Sequence, residues 1–557
     1  MTFRPSQQML RPFLAVLLAT VLASCASESA TKAEPAQKPA PKLLVLLIVD
    51  GLPERQITGY RDQLAPDGFA RFLDHGVWYT DAHYGHAFTV TCAGHAAMLT
   101  GAYPHRSGII ANEWRDANTG APEYCASDAA ASYIGNATRP LDGTSPRKLK
   151  VESVGDVLKR VSPRSKVIAI SGKDRGAILP AGKTGTAYMY MAQSGQFASS
   201  TYYMQQHPAW VNEFNGRKLA DGYFKTQWLP LLADAAYARS LPDNQPWFGP
   251  RGGKLPMTMG SRDDDAPSPA FYAQLLRSPF VDAMSLQFAR AAIAGEGLGQ
   301  DDAPDILIVS LSGHDDVNHA YSAESRISHD HLLQLDRLLQ DFLRDLDANV
   351  GPYNYVAMLT ADHGFMPAPE YGAQLGLAAG RIDGKQALER VNAGLEARFG
   401  AGKWISVSGS SLLLNRQLMA QKQADANAVA EAARNLLLAE SGVAAAYTRG
   451  ELLSGSRAGA PFFEPMRNAW HPEVSGEVQF VLKPYWMLAS STAVTTHGSP
   501  HPYDTNVPIL MYGPRWMQHS RVESRVEVVD IAPTVARLLG VPAPQASEGK
   551  PLPLIAP

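Results

Sequence analysis

The chain has 557 residues, of which 45% are apolar and 18% are charged, and its formal net charge is −3. This composition supports a large apolar core, so it excludes a disordered, collagenous or coiled-coil protein. The near-neutral charge, together with the lack of long basic runs, argues against nucleic-acid binding as a primary role. We therefore expect a globular enzyme.

The N-terminal segment has the features of a secretion signal. Arg4 and Arg11 precede the apolar run 13–23, which is shorter than the roughly 20 residues that a membrane-spanning helix needs. The run ends in Leu22-Ala23-Ser24-Cys25, which resembles the bacterial lipobox, in which the cysteine is acylated and becomes the first mature residue. A signal peptide is thus predicted over 1–24. The alternative is an ordinary cleaved signal with an incidental cysteine.

Residues 25–42 are rich in Ala, Pro, Ser, Lys and Glu, a composition that predicts an extended tether behind the lipidated Cys25. We expect an exported bacterial protein that is periplasmic or anchored to the outer membrane through this lipid alone. The body of the chain retains Cys92 and Cys125. An oxidising periplasm allows them to pair, but the sequence does not show whether their geometry permits it, so both states remain open.

The body alternates between buried strands and helices. Continuous apolar runs predict strands at 43–49, 167–170, 305–311, 355–360 and 507–512. Between them, one helix is predicted from an apolar stripe formed by Leu332, Leu335, Leu339, Phe342 and Leu346. The predicted fold class is α/β, with a doubly wound, mostly parallel sheet flanked by helices. In such sheets ligands bind beyond the carboxyl ends of the strands.

Polar clusters follow several of these predicted strands. They are Asp50, the segment 312–319, the segment 362–364 and, late in the chain, His497. A single such Asp is usually a turn or capping residue, a single His is usually structural, and the acidic run 263–265 is best explained as a solvated loop, with weak calcium binding as the alternative. Recurrence at several strand ends instead predicts a shared site.

Mixed Asp and His donors suit zinc or a similar divalent ion better than an all-oxygen calcium cage. Six such ligands exceed the usual number for one catalytic zinc, so two ions are expected. A two-metal centre stabilises both the attacking and the leaving oxygen of an in-line displacement. The clusters therefore predict phosphoryl transfer or ester hydrolysis.

A resemblance to a known family narrows this interpretation. Residues 89–104 (TVTCAGHAAMLTGAYP) and 107–112 (SGIIAN) resemble the nucleophile segment of the alkaline phosphatase superfamily. The resemblance is narrower to the branch shared by nucleotide pyrophosphatase/phosphodiesterases and PafA-like alkaline phosphatases with a threonine nucleophile. Further matching blocks, in order, are 49–51 (VDG), 315–319 (DxxxH), 361–364 (ADHG), 496–499 (THGS) and 529–540 (VDIAPTVARLLG). The match runs from about residue 43 to 541.

The resemblance implies two Zn²⁺ ions per chain and a ligand set for each. One ion would be held by Asp315, His319 and His497, and the other by Asp50, Asp362 and His363. Thr91 would bridge the second metal and the substrate phosphorus as the nucleophile. The family spacing back from Asn112 selects Thr91 over the rival Thr89, and the HGS context selects His497 over His501.

Lys173 and Arg175 bear on the choice between monoesters and diesters. They follow a predicted strand and resemble the Lys-x-Arg element of the monoesterase branch. In an extended backbone both would lie on one side and reach one anion, matching the dianionic phosphoryl group of a monoester. The alternative is a pair of surface cations beside Asp174. By the same resemblance, Asn112 donates to a phosphoryl oxygen.

A sulfatase is excluded, because the sulfatase motif CxPxR requires a proline two residues and an arginine four residues after the cysteine. Cys92 is followed by Ala93-Gly94-His95-Ala96, which has neither. Cys92 is interpreted instead as a buried neighbour of the nucleophile. The catalytic domain is expected over 43–557, with insertions at about 185–300 and 366–480. The second of these includes a predicted helix over 420–441.

Together these features predict a monomeric, zinc-dependent alkaline phosphatase that hydrolyses small-molecule phosphate monoesters through a phosphothreonine intermediate. The alternative within the superfamily is a phosphodiesterase or nucleotide pyrophosphatase. The alternative from another class is a non-catalytic, phosphate-binding surface lipoprotein.

Overall fold

The computed structural model describes residues 1–2, 39–490 and 492–555. The predicted signal peptide and lipidation site, with most of the tether, lie outside the described residues apart from Met1 and Thr2. Across the described residues, no helix combines the length and the apolar character that a membrane crossing requires.

Two sheets organise the described chain. Their strands are β1 (Leu43–Val49), β2 (Val77–Tyr79), β3 (Val167–Ser171), β4 (Thr186–Met191), β5 (Gln196–Ala198), β6 (Asp305–Leu311), β7 (Tyr355–Thr360), β8 (Ile405–Ser408), β9 (Ser411–Leu414), β10 (Val443–Thr448), β11 (Val478–Leu482), β12 (Ile509–Tyr512) and β13 (Ser520–Val522). The main helices are α1 (Phe69–His75), α2 (Thr91–Thr100), α3 (Val154–Val161), α4 (Asp174–Ala181), α5 (Pro279–Glu296), α6 (Gly313–Tyr321), α7 (Arg326–Asn349), α8 (Gly384–Phe399), α9 (Ala426–Leu438) and α10 (Ile531–Leu539).

Among the described residues, nine strands form the central sheet in the order β13-β2-β12-β7-β1-β6-β3-β4-β5. The strands from β7 to β4 run parallel, and helices cover the sheet, so the predicted α/β class is confirmed. β12 is antiparallel to both of its neighbours. The sequence could not predict this direction, because a buried apolar run indicates burial but not strand direction. All five residues of the predicted stripe on α7 are buried.

The centre of the sheet fixes where the strands end. β1 is buried along its whole length and lies between β6 and β7, with Ile48 paired to both Ser310 and Thr360. The three strands therefore end in register. The chain that follows each of them emerges at one edge of the sheet, where the sequence places Asp50, the segment 312–319 and Asp362.

Among the described residues, the second expected insertion forms most of a four-stranded antiparallel sheet with the order β8-β9-β11-β10. Helices α8 and α9 pack on it around their own apolar core. The predicted helix over 420–441 is in fact two helices. One ends at Lys422, Gln423 has a positive φ of 52°, and Asp425 caps the N-terminus of α9 by accepting a hydrogen bond from Ala428 N–H.

The first expected insertion, at about 185–300, includes elements of the central sheet. Strands β4 and β5 form one end of that sheet, and most of α5 is buried in the same core. Cys92 and Cys125, whose pairing the sequence left open, are joined by a disulfide. This bond links the first turn of α2 to the loop after the short strand Pro122–Tyr124.

Candidate active site

Three carboxylates converge at the carboxyl ends of β1, β6 and β7. Asp50 directly follows β1, and Asp362 lies two residues after the end of β7. Asp315 lies in the first turn of α6. All three side chains are buried. Gly51 allows the close approach, since it adopts a positive φ of 71° and a Cβ there would lie 3.0–3.1 Å from Asp315 atoms. Backbone packing thus forces like charges together.

His363 faces all three of these carboxylates. Its Nε2 atom lies 3.5 Å from Asp50 Oδ1, 3.4 Å from Asp362 Oδ2 and 3.9 Å from Asp315 Oδ1. The donor atoms of Asp50, Asp315 and His363 all lie within 4.8 Å of one another, which makes this trio a candidate cation site. The ligand set expected for this ion named Asp362 in place of Asp315, and Asp362 lies at the same cluster.

A second candidate cation site shares Asp315. The Nε2 atoms of His319 and His497 lie 3.5 Å and 3.6 Å from Asp315 Oδ1, and the three residues form a group with donor atoms within 4.8 Å of one another. The ring of His497 stacks on that of His363, with centroids 3.3 Å apart. All six ligands expected from the sequence therefore lie in one contiguous cluster, although they come from four separate stretches of the chain.

Backbone carbonyls orient the three imidazoles in the same way. The Nδ1 atom of His319 donates to Thr495 O at 2.9 Å, that of His363 to Gly364 O at 2.9 Å, and that of His497 to Thr89 O at 2.8 Å. Because a carbonyl only accepts, each Nδ1 carries the proton and each Nε2 presents its lone pair to the carboxylates. Histidines that bind metal ions commonly donate their other ring N–H to a carbonyl or carboxylate in this way.

Several of these buried ligand atoms have no hydrogen-bond partner among the described residues: Asp50 Oδ1, Asp315 Oδ1 and His363 Nε2. Burial of unpaired polar groups is costly, and they are rare outside functional sites. Lone pairs of oxygen and imidazole nitrogen directed at a common centre fit a divalent cation of the zinc type. These residues therefore fit the metal that the sequence motifs imply.

The electrostatics of the cluster agree with this fit. Burial and repulsion from Asp362 raise the pKa of Asp50 well above its ordinary value. Burial would also raise the pKa of Asp315, but the attraction of the Lys173 ammonium outweighs it and holds that pKa well below its ordinary value. Burial lowers the pKa of His363 and, with repulsion from His363, that of His497. His363 and His497 are thus neutral, the form that binds metal.

Thr91 is the first residue of helix α2 and is buried. Gly94, in the same helix, is in close contact with the Asp362 backbone: a Cβ at Gly94 would lie 2.1 Å from Asp362 O. The glycine thus lets α2 approach the carboxylate cluster and brings its N-terminus to the same edge of the sheet. A helix N-terminus favours negative charge, which suits a nucleophile that approaches a phosphoryl group.

His95 is a residue that the sequence analysis left without a role. Its Nδ1 atom lies 2.9 Å from Thr91 O and 3.2 Å from Asp362 Oδ2, and its Nε2 atom bonds Ser310 Oγ at 2.8 Å. It therefore ties the Thr91 helix to a carboxylate of the cluster. The signal available in the sequence was its position four residues after Thr91, one turn along the same helix.

Lys173 and Arg175 lie beside the cluster but not in the extended segment that the sequence analysis assumed. Lys173 is the N-cap of α4 and Arg175 lies in its first turn, so the period-two argument, which required an extended backbone, does not apply. Lys173 Nζ pairs with Asp315 and lies 3.0 Å from Asp50 Oδ2 and 3.6 Å from Asp316 Oδ2. Neither residue is a surface cation, since their side chains are only 9% and 22% exposed.

The asparagine expected to bind phosphate contacts Cys92, the residue after Thr91. Asn112 Oδ1 accepts a hydrogen bond from Cys92 N–H at 2.9 Å. Asn112, His319 and His497 line one cavity of about 390 Å³, whose walls also include Phe88, Phe480 and Trp486. This cavity leads from the cluster to the second sheet and offers space for the alcohol part of an ester.

The rival residues have other partners. Thr89 Oγ1 donates to Ser499 O at 3.0 Å, and His501 Nε2 donates to Leu482 O at 2.9 Å. Neither belongs to the cation groups found among the described residues.

Comparison with known proteins agrees with the sequence motifs. Residues 44–504 match the type I phosphodiesterase/nucleotide pyrophosphatase family. Alkaline phosphatase PafA of Elizabethkingia meningoseptica is 32% identical over 92% of this chain and 94% of its own length. Alkaline phosphatase PhoV of Synechococcus elongatus is 31% identical over 92% of both chains.

Solved structures extend this similarity to the fold. The crystal structure of wild-type PafA superimposes with a TM-score of 0.85 at 31% identity, covering 92% of this chain and 99% of its own. A second PafA structure carries substitutions at a threonine, an asparagine, a lysine and an arginine, in that order along its chain. The present chain belongs to the type I phosphodiesterase/nucleotide pyrophosphatase family and, within it, to the group of PafA-like alkaline phosphatases.

Proposed function

We propose that this protein is a metal-dependent alkaline phosphatase that hydrolyses phosphate monoesters through a phosphothreonine intermediate. One observation carries the proposal: six buried or half-buried Asp and His ligands converge beside the N-terminus of the Thr91 helix, with Lys173 inside the same cluster. The names of the relatives, alkaline phosphatases PafA and PhoV, support the monoesterase assignment.

Two zinc ions are the proposed cofactors. Asp315, His319 and His497 would hold one ion, and Asp50, Asp362 and His363 the other, with Asp315 close enough to contribute to both. Bound divalent ions at such a centre lower the pKa of coordinated hydroxyls and stabilise the charge that develops on the attacking and leaving oxygens.

The remaining steps are assigned to side chains of the protein. The Thr91 hydroxyl attacks phosphorus in line with the leaving oxygen, and water later releases phosphate from the threonine. Asn112, whose Oδ1 is held by Cys92 N–H, presents its amide nitrogen as a donor to a phosphoryl oxygen. These two residues and the pair Lys173 and Arg175 follow the order of residue types substituted in the PafA variant.

Lys173 and Arg175 favour a monoester over a diester. A monoester presents a dianion with three non-bridging oxygens, which an ammonium and a guanidinium together can neutralise. Burial would lower the pKa of Lys173, but the attraction of Asp315 and Asp50 raises it, so the ammonium stays charged. One of these oxygens is esterified in a diester, which reduces the benefit of the second cation.

The proposed setting is an exported protein. The sequence of residues 1–24 supports a cleaved signal, and Cys25 in its lipobox-like context supports an acyl anchor followed by a tether. The catalytic domain would then begin at residue 43, with the second insertion covering the cavity beside the metal cluster.

The test compares an aryl phosphate with the corresponding bis-aryl diester, before and after chelation and after zinc is restored. We expect a higher kcat/KM for the monoester, and loss of both activities on chelation. Neutralising Lys173 and Arg175 together should reduce monoester turnover far more than diester turnover. Equal losses would contradict the role assigned to the two cations.

A phosphodiesterase is the second candidate, because the matching family is named for that activity. A clear preference for the diester in the same assay would support it and leave the fold assignment intact. Absence of both turnover and bound metal would instead favour a non-catalytic phosphate-binding protein.

A further inference from the structure

A short hairpin connects Asn112 to the disulfide. The strand Glu113–Arg115 follows Asn112 directly and pairs antiparallel with Pro122–Tyr124, after which the chain reaches Cys125. The hairpin thus begins at one proposed phosphoryl-binding residue and returns to it. Its contacts concern the site because they involve Asn112 and Arg175 rather than the apolar core alone.

Asn112 is held at both of its carbonyl oxygens by the two disulfide-bonded cysteines. Cys125 N–H donates to the backbone oxygen of Asn112 at 2.9 Å, and Cys92 N–H donates to the side-chain Oδ1 at 2.9 Å. The Cys92–Cys125 bond joins these two donors covalently. Because Oδ1 accepts this hydrogen bond, the orientation of the side-chain amide is fixed, and its Nδ2 remains as the group that can donate to a ligand.

The neighbouring residue, Tyr124, holds the other phosphoryl-binding side chain. Its hydroxyl donates to Asp174 Oδ1 and accepts a hydrogen bond from Arg175 Nη1 at 3.3 Å. Arg175 Nη1 is also 4.0 Å from Asp174 Oδ1. Burial and the nearby Asp174 raise the pKa of Tyr124, so the group remains a neutral hydroxyl that can donate and accept at once.

We propose that Tyr124 and the Cys92–Cys125 disulfide are positioning residues of the active site, which fix Arg175 and Asn112 relative to the nucleophile helix. This inference rests on the proposed function, since it assumes that Asn112 and Arg175 contact the phosphoryl group. Tyr124 and Cys125, which are adjacent at the end of one strand, therefore align Arg175 and Asn112, which come from different parts of the chain. Loss of either contact frees a donor without removing it.

The Tyr124 half of the proposal is tested with Tyr124→Phe, which deletes only the hydroxyl. We expect kcat/KM for an aryl phosphate to fall between about 10-fold and about 100-fold, and the Kd of inorganic phosphate to rise in parallel. In an Arg175→Ala background the same change should alter kcat/KM by less than about twofold, because its only route to the substrate is gone.

Tyr133→Phe is the matched control. Tyr133 also donates its hydroxyl to Asp174, to Oδ2 at 3.4 Å, and it makes no hydrogen bond to Arg175. Its variant should retain wild-type kcat/KM. If Tyr133→Phe loses as much as Tyr124→Phe, or if the Tyr124→Phe loss is undiminished in the Arg175→Ala background, the positioning role is wrong.

The disulfide half is tested by reduction followed by reoxidation, and by the variant Cys92→Ala with Cys125→Ala. Both should lower kcat/KM and weaken phosphate binding by a similar factor, and reoxidation should restore wild-type values. The variant needs no reductant, so it separates loss of the bond from removal of metal by the reductant. In an Asn112→Ala background the cysteine changes should have little further effect. A lower Tm with unchanged kinetics would show that the bond only stabilises the fold.

Different outcomes would contradict the proposed function and the positioning role. A wild-type protein that does not hydrolyse monoesters contradicts the proposed function, yet phosphate binding measured by calorimetry still reports on the positioning residues. Wild-type turnover together with unchanged kinetics and phosphate Kd in both variants would contradict the positioning role alone.

Discussion

The carboxyl-end edge of the central sheet leaves several buried carboxylate oxygens unpaired, whereas the four-stranded second sheet pairs buried groups such as Glu477 and Trp404, with Gln479 Oε1 as an exception. At the edge, Asp50 and Asp315 keep oxygens without hydrogen-bond partners among the described residues. In the second sheet, Glu477 accepts from Leu414 N–H at 2.9 Å and pairs with Arg416 at 3.1 Å, and Trp404 Nε1 donates to Gly400 O at 2.9 Å.

The difference separates a region shaped for ligands from one shaped for stability. Unpaired buried carboxylates destabilise a fold, so they persist only where the surrounding structure holds them and a ligand completes them. Polar groups that are already paired, around a core of their own, need no ligand. Substitutions at the edge should therefore change chemistry, whereas those inside the second sheet should change stability.

Removal of the nucleophile tests this comparison most strongly. Thr91→Ala should lower monoester turnover by at least about 10³-fold, because no other group takes over the covalent step. The Tm should change little, and Thr91→Ser should retain measurable activity. Steady-state kinetics with trapping of the phosphorylated intermediate provide the measurement. Full activity in Thr91→Ala would contradict both the site and the mechanism.

Asp315 offers the next largest effect, because it belongs to both cation groups. Asp315→Asn should lower bound metal and reduce kcat/KM by at least about 100-fold, more than the usual effect of changing a residue that only hydrogen-bonds to a metal ligand. Asp316→Asn is the matched control, since its carboxylate is nearby but in neither group. Elemental analysis together with kinetics distinguishes the two. Equal metal content in both variants would show that Asp315 is not a ligand.

Gly94 tests whether backbone contact positions the nucleophile. A Cβ at this position would lie 2.1 Å from Asp362 O, so Gly94→Ala should push α2 away. We expect destabilisation of about 1–3 kcal/mol and a decrease in kcat/KM of up to about 100-fold. Gly59→Ala, also helical and with open space around the added Cβ, should leave activity unchanged. Thermal melts and kinetics on both variants provide the measurement.

A residue of the apolar core between the second sheet and its helices should show the smallest effect on activity. Leu395 is fully buried in α8, and Leu395→Ala should cost about 2–5 kcal/mol of unfolding free energy. Below the melting transition, kcat/KM should stay within about twofold of wild type, since Leu395 lies in the apolar core of the second sheet and belongs neither to a cation group nor to the cavity lining. A large loss in kcat/KM with a small change in stability would instead mean that the second sheet contributes to catalysis.

Much of the fold could be predicted from the sequence because its signals are local. The apolar runs 43–49, 305–311 and 355–360 are strands with the predicted bounds, since continuous burial leaves a clear pattern. The break between the helices at 416–422 and 426–438 was missed, although Asp425 is a strong N-cap residue. The extended segment assumed at 173–175 failed because α4 begins at Asp174.

The sequence by itself determined the candidates for the chemistry: the Asp and His clusters after the strands, and the motif around Thr91 that resembles a known family. Only the tertiary structure decided how they meet. It paired Cys92 with Cys125, let both cation groups share Asp315, and made Tyr124 a partner of Arg175. The reason is physical, because residue type and periodicity are written along the chain, whereas contacts between distant segments depend on how the strands and helices pack.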